Sequence, residues 1–570
     1  MGETQHPVEF VVEEAPSERA APLLRTSTVA PTLALALAAC DSAGGSSGGG
    51  GGGGIVSPAP TPTPTIAAVT QQQASRFLAQ ATMGATKAEI ANVQSRGYDG
   101  WITDQLAMTR ATSHWDYMVS KGLNVAANIN NETGFDPTMW RQLIGDPGQL
   151  RQRVGMALLE IMVVGISGVQ LNWVQFAMAG YVDVLLDNAF GNFRTILDKI
   201  TTNAAMASFL TFLNNRKANA ATGSVPDENY ARELMQLFTI GLYQLNIDGS
   251  RKLSGGLPID TYTQADVSGL ARVFTGLNVD SSDGTTPDRY RRALIINGNH
   301  ETGASTFLGV TVPAGTAGAA AVATALDTIF AHANIPPFVS KQLIQKLVTS
   351  NPSPAYIGRV AAVFANNGSG VRGDMKAVIR AILMDSEARA DPSGGANAGK
   401  LREPVMRMTG WARAFNAASI SDAWNIGDTS SSSTRLAQSM GRSGSVFNFF
   451  RPGYSPPNTA ISSAGLVAPE MQITNELSVV AYINYMSALI TSTGDFRADY
   501  TDILTKAADS QALVDEVNLV LAAGQVGSAT LAQIKAAVDS IGTSTPALLQ
   551  NRVSAAILLT MASPEYLTCK

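Results

Sequence analysis

Pro226-Asp227-Glu228-Asn229-Tyr230-Ala231-Arg232-Glu233-Leu234-Met235-Gln236-Leu237-Phe238-Thr239-Ile240-Gly241 reads as one amphipathic helix. Tyr230, Leu234, Leu237 and Phe238 fall at i, i+4, i+7 and i+8, the spacing of a single apolar stripe. Glu228 and Arg232 lie four apart with the acid toward the N-terminus, the favourable order. Pro226 suits a first turn, and Gly241 suits the left-handed residue that ends a helix. The other face carries Asn229, Arg232, Glu233 and Gln236, a dense polar set on a helix committed to a core on its far side.

Outward from that helix, composition sets bounds. A chain of 570 residues exceeds what one ordinary core supports, so two lobes are expected. Charged residues make up 15%, against about 25% in typical soluble chains, so much of the surface must be uncharged and polar. The net charge of −5 and the lack of a basic run argue against a nucleic-acid partner. Four histidines leave little room for a histidine-rich metal site.

Residues 1–40 read as an export signal. Arg19 and Arg25 precede the apolar run Leu33–Ala39, and Leu37-Ala38-Ala39-Cys40 matches a bacterial lipobox, with Cys40 the lipidated residue. The acidic residues before position 24 make a poor start for such a signal, which points to a true start near Leu24-Arg25. Residues 41–69 are Gly/Ser- and then Pro/Thr-rich, the composition of a tether. Residues 70–390 are expected to form a helical lobe and residues 400–570 a second one, divided near Asp391–Gly395. The class is predominantly α. The apolar run Val154–Val169 is broken by Glu160 and three glycines and suits a buried helix better than a membrane span. A capping box at Thr263–Asp266 opens a helix that buries Val267, Leu270, Ala271, Phe274 and Leu277. Tyr243–Tyr262 reads as a long loop. Arg291–Asn297 and Thr306–Val312 read as the two strands of a small hairpin. Ser445–Pro457, rich in Phe and Pro, is not expected to be regular.

Several segments, in order, resemble the bacterial family called domain of unknown function 1800. They are Arg76–Thr82, Asn229–Thr239, Tyr262–Val267 with Phe274-Thr275-Gly276, and Ser563–Leu567; His300 with Gly303 and Ser445–Pro457 also fit. The resemblance spans roughly residues 70–570. It implies an exported, mostly helical bacterial protein, and the family brings no established activity with it. Where many members carry a Trp- and His-bearing helix, this chain has Leu158-Leu159-Glu160-Ile161-Met162, which puts in doubt any site built on that histidine.

No zinc-protease, P-loop, Cys-x-x-Cys or nucleophile-elbow motif is present, and no cofactor or metal is indicated. The remaining catalytic candidates are Glu228, Glu233, Asp266 and His300, which would work as acids and bases if the two capped helices and the hairpin brought them together. Binding candidates are Asn229, Arg232 and Arg272 on the same surface, and Phe447, Phe449 and Tyr454, which would line a groove for a glycan or a Pro-rich peptide. The alternatives are an arginine–carboxylate network that fixes helix packing, and an irregular segment pinned into the core by its aromatic rings. As a structural acid, Glu233 is expected to hold an arginine or backbone donors. Two functions follow. One is a lipid-anchored cell-envelope protein, on the periplasmic face or outer surface, that binds a protein or polysaccharide partner without chemistry. The other is an envelope or extracellular hydrolase using the Glu/Asp/His set.

Overall fold

The computed structural model describes residues 68–282, 286–390 and 397–570. The expected signal, Cys40 and nearly all of the tether lie outside the described residues, as does the expected lobe boundary at 391–395. Helices take up 53% of the chain, and among the described residues strands occur only as short antiparallel pairs. The fold is predominantly α, as the periodicity predicts.

The first helix of the body, α1 (Gln71–Ala81), is started by a capping box between Thr70 and Gln73. After helices at Lys87–Ala107, His114–Ser120 and Phe135–Gly145 come α2 (Gln149–Ile161), which is buried on almost every side, and α3 (Val174–Asn188), which packs across it. Burial all round explains the apolar run in the sequence, although the helix ends at Ile161 and the rest of the run, to Val169, is not α-helical. Among the described residues no helix is long and apolar enough to cross a membrane.

The central helix departs from the sequence reading in three ways. It starts at Asn229 rather than near Pro226, as α4 (Asn229–Glu233). Asn215 holds the chain ahead of it by accepting from Asp227 N and donating to Asp227 O. From Leu234 to Thr239 it widens into a π-turn, closed in part by the Thr239 hydroxyl donating to Leu234 O. The widening shifts the buried face by one residue: Leu234 and Phe238 are buried as expected, but Met235 is buried while Leu237 stays partly exposed. Gly241 has φ 71° and ends the helix, as expected. Tyr230 sits between Phe212, stacked at 4.0 Å between ring centres, and the edge-on ring of Phe274.

Between the π-turn and the next helix, the chain is ordered into a finger rather than a loop, tipped by β1 (Leu253–Ser254) and β2 (Leu257–Pro258). The capping box at Thr263–Asp266 then opens α5 (Gln264–Val273); the five predicted apolar residues are all buried, but the helix ends at Val273 and Leu277 already lies on a strand. The hairpin reading at 291–312 needs correction. Strand β4 (Ile295–Ile296) pairs with β3 (Leu277–Asn278), and the hairpin is formed by β5 (Ser305–Phe307) and β6 (Val310–Val312) alone. Helix α5 lies directly on β5. A Cβ at Gly269 would stand 1.8 Å from Thr306 O, so glycine is required for that approach.

Helices α6 (Ile335–Leu347), α7 (Pro354–Ala365) and α8 (Met375–Met384) come later in the chain and pack on one another, with α6 also against α2. Next come β7 (Lys400–Leu401) and α9 (Pro404–Ala414). Ser445–Pro457 is irregular, as expected. The last elements are α10 (Glu476–Ile490), α11 (Ser510–Ala522), α12 (Pro546–Ala562) and β8 (Thr568–Cys569). Residues far apart in sequence close the body. Strand β8 pairs with β7, the Ser75 hydroxyl donates to Leu519 O at 2.7 Å, and Arg76 Nε donates to Lys570 O at 2.6 Å. One apolar core runs from Ala74 to Tyr566.

Candidate functional site

The polar face of α4 meets the first turns of α5. Gln264 and Ser268 are four apart and share one side of α5, and Glu228 lies against them. Its Oε1 accepts the Ser268 hydroxyl at 2.6 Å, and its Oε2 accepts Gln264 Nε2 at 2.7 Å and Arg232 Nη2 at 3.1 Å. The same Arg232 nitrogen reaches Gln264 Oε1 at 3.2 Å. Glu228 is thus occupied on both oxygens. Asn229 turns away, toward Asp227 and Thr211.

Asp266 sits two residues beyond Gln264, roughly 200° around the helix, and faces the opposite way. Its Oδ2 takes the N–H and hydroxyl of Thr263 at 2.8 and 2.7 Å, and its Oδ1 takes Leu308 N at 2.7 Å. Burial alone would raise its pKa. The Thr263 donors and the Leu308 N–H outweigh that and hold it below the ordinary carboxylate value. His300 is buried at the other end of α5, with Nδ1 3.0 Å from Thr275 O. Arg272 reaches Glu301 at 3.4 Å. The four acid–base candidates therefore do not gather at one point. Asp266 is a cap that also ties down the hairpin, and His300 is a packed turn residue.

Glu233 differs from the other three. The expectation that it holds an arginine or backbone donors is not met, because Arg232 turns to Glu228 instead. Among the described residues no donor reaches the Glu233 carboxyl, and its Oε2 is buried without a hydrogen-bond partner. Burial pushes its pKa up to about 6, and the Arg232 charge opposes this. Beside it, the Tyr262 hydroxyl donates to Gln236 Oε1 at 3.1 Å. Burial raises the Tyr262 pKa to about 12, Arg232 lowers it, and Glu233 adds to the rise. Glu233 stands at the junction of α-helix and π-turn, a distortion frequent at functional sites. A carboxyl that exchanges its proton near pH 6 and lacks a donor is fit to receive one from a ligand, or to pass a proton.

Sequence reasoning missed a second charged assembly, in the core. Glu160 on α2, Lys346 on α6, Lys400 on β7, Glu403 just before α9, and Glu470 are all buried. Lys400 Nζ lies 3.2 Å from Glu403 and 3.1 Å from Glu470, and donates to Lys346 O at 2.9 Å. Lys346 Nζ lies 3.1 Å from Glu160 and 4.3 Å from the centre of the Phe450 ring. Gln438 Nε2 bridges the two acids, 2.7 Å from Glu403 and 3.3 Å from Glu160. Burial and the neighbouring Glu403 charge push Glu160 up to about 8, against the pull of Lys346. Burial would raise Glu403 as well, but Lys400 and Lys346 override it and its pKa is lowered. The two acids are thus pushed apart, Glu160 toward its protonated form and Glu403 toward its charged form. The only sequence signal was Glu160 interrupting an apolar run.

Phe450 is the pin of the irregular aromatic segment, and it is buried against Lys346. Phe447, Phe449 and Tyr454 remain partly exposed around it. The Arg451 guanidinium covers Phe447 at 4.6 Å from the ring centre. Among the described residues, no three His, Cys, Asp or Glu side chains are placed to hold a metal ion.

The family model described as "Protein of unknown function (DUF1800)" matches residues 76–568. The chain belongs to the DUF1800 family. The match takes in both charged assemblies and the aromatic segment. No curated protein and no solved structure matches the chain. The DUF1800 assignment therefore brings a fold-length relationship and no reaction.

Proposed function

We propose that this DUF1800 protein is a lipid-anchored protein of the bacterial cell envelope that binds a protein or polysaccharide partner without chemistry. The observation that carries the binding half is the occupancy of the candidate acids: Glu228 and Asp266 have their oxygens filled by internal donors. Groups so engaged serve poorly as general acids or bases. The receptor on this reading is the α4 face, where the Glu233 carboxyl awaits a donor beside Gln236 and Tyr262. Phe447, Phe449 and Tyr454 offer a second, aromatic surface. The anchoring half rests on the lipobox at Cys40. Cys40→Ala should abolish metabolic lipid labelling and leave unprocessed precursor; unchanged labelling would end that half. For the binding half, the purified chain should be retained on isolated envelope polymer, and Glu233→Gln should reduce retention without lowering the melting temperature. Equal retention by the variant would remove the α4 face from consideration.

One observation favours a second reading. Glu233, raised to about 6 by burial, suits a general acid–base in an envelope hydrolase. Release of soluble fragments from envelope polymer, with a pH profile that turns near 6 and vanishes in Glu233→Gln, would establish the enzyme and displace the binding reading.

A further inference from the structure

Fifteen large apolar side chains are exposed among the described residues, and four of them, Leu242, Ile247, Leu253 and Leu257, lie in the finger between the π-turn and α5. Its base is rigid. Tyr243 bridges to Asp260 and Leu245 to Arg251. Asn334 clamps it from α6's start, accepting from Leu245 N at 2.9 Å and donating to Ile240 O and Tyr243 O at 2.8 Å each. Its tip is a two-residue turn, Gly255 at φ 58° and Gly256 at φ 84°, a pair of left-handed residues that glycine accommodates. No atom lies within 4 Å of where a Cβ at either glycine would stand, so the tip is clear of the body. Leu253 is 58% exposed and Leu257 72%.

The finger carries two cations and two acids, and the pair that leads directly into the tip is basic. Arg251 and Lys252 immediately precede Leu253, and the Arg251 guanidinium lies 4.7 Å from the Tyr243 ring centre. Arg251 is within electrostatic reach of Lys341, and Lys252 of His332. The acids of the finger are Asp248 and Asp260. Asp248 Oδ1 is taken by the Ser250 N–H at 3.0 Å and hydroxyl at 2.6 Å, and Asp260 lies at the base.

We propose that this finger is a lipid-surface contact: Leu253 and Leu257 enter the boundary between headgroups and acyl chains of an anionic bilayer, while Arg251 and Lys252 rest among the headgroups. A narrow apolar tip above a basic collar matches the division of a membrane interface, where apolar side chains insert and cationic ones stay at the anionic surface. The same tip is too small for a specific protein interface, which takes roughly 800 Å² from each partner. Only the nearness of a bilayer rests on the lipid-anchor reading.

The test places an environment-sensitive fluorophore on the tip by Ser254→Cys, in the full chain carrying Cys40→Ala. Vesicles containing phosphatidylglycerol should brighten and blue-shift the label, and phosphatidylcholine vesicles should leave it nearly unchanged. Leu253→Ser with Leu257→Ser should abolish the response at an unaltered melting temperature. Arg251→Gln with Lys252→Gln should weaken binding to the anionic vesicles roughly 10–30-fold. A label that stays silent, or responds equally after both leucines are replaced, overturns the proposal. So does a label that responds without vesicles as the chain dimerises in sedimentation, which would make the tip a contact between copies. Because Cys40 is absent throughout, loss of the lipid-anchor reading leaves this result standing, and the reverse.

Discussion

The α4 face and the buried ion network are both built from acids, cations and amides, yet they handle charge in opposite ways. In the network, Lys400 is flanked by Glu403 and Glu470, Lys346 by Glu160, and Gln438 joins the two halves. Its groups come from α2, α6, β7 and the segments around α9, so it fastens distant parts of the chain. On the α4 face, the bonds concentrate on Glu228, and Glu233 is left half-buried without a donor. Glu160 Oε2 and Glu470 Oε2 also lack a hydrogen bond, but each of these acids faces a lysine, and among the described residues Glu233 has no such ion pair; a charge paired in this way holds structure. A charge kept waiting costs stability, and the fold tolerates that cost most readily where a ligand can relieve it.

That contrast breaks most easily at Lys400. Lys400→Met should cost roughly 3–5 kcal/mol, because it strands two buried carboxylates. A melting temperature near wild type would mean the network is hydrated rather than dry. Next come the apolar anchors of the central helix: Leu234→Ala and Phe238→Ala should each cost roughly 2–5 kcal/mol, measured by denaturant unfolding. Leu237→Ala should cost distinctly less, since the π-turn leaves Leu237 partly exposed; equal costs at all three positions would argue for a regular α-helix.

Glu160→Gln tests the protonated form of Glu160. Burial raises the folded pKa of Glu160 from an ordinary 4.5 to about 8, so its stabilising contribution is complete below about 4.5 and is lost as pH rises to 8. The variant should therefore gain on wild type steadily across that window and hold a constant lead above it. Parallel pH–melting curves would remove the pair. The smallest effect is expected at Glu233→Gln. Its folded pKa is also raised, to about 6, so the variant should match wild type near pH 4 and melt higher, by up to about 2 °C, above pH 6. A lower melting temperature for this variant would return Glu233 to a structural role.

Local signals were legible in the sequence and long-range ones were not. Thr263 caps the helix it precedes, as read, because a cap needs only residues three positions away. The buried face of α5 followed from periodicity alone. The π-turn did not, since one extra residue in a turn leaves no compositional mark. The strands read at 291–297 and 306–312 were paired wrongly because β4 finds its partner just beyond α5's end, at Leu277, rather than along the chain. At the candidate site, the Glu228–Arg232 pair is local and was legible. The partners of Asp266 and the isolation of Glu233 depend on Leu308 and on the direction Arg232 takes. The ion network gathers residues 160, 346, 400, 403, 438 and 470, and no spacing rule brings such positions together.

The seam that ties the first helix of the body to its last strand has a consequence for how the protein is made. Ser75 waits for Leu519, Arg76 for Lys570, and β7 for Thr568. Such pairings close only after hundreds of residues have been synthesised, and contacts of that sequence separation form late. Phe77 meets Tyr98 and Trp101 early, but the side of α1 that carries Ser75 and Arg76 stays without these partners until the last residues of the chain have emerged. If the polypeptide is threaded through a membrane, that interval falls on the far side, where a chaperone that shields this helix would decide the yield of folded protein.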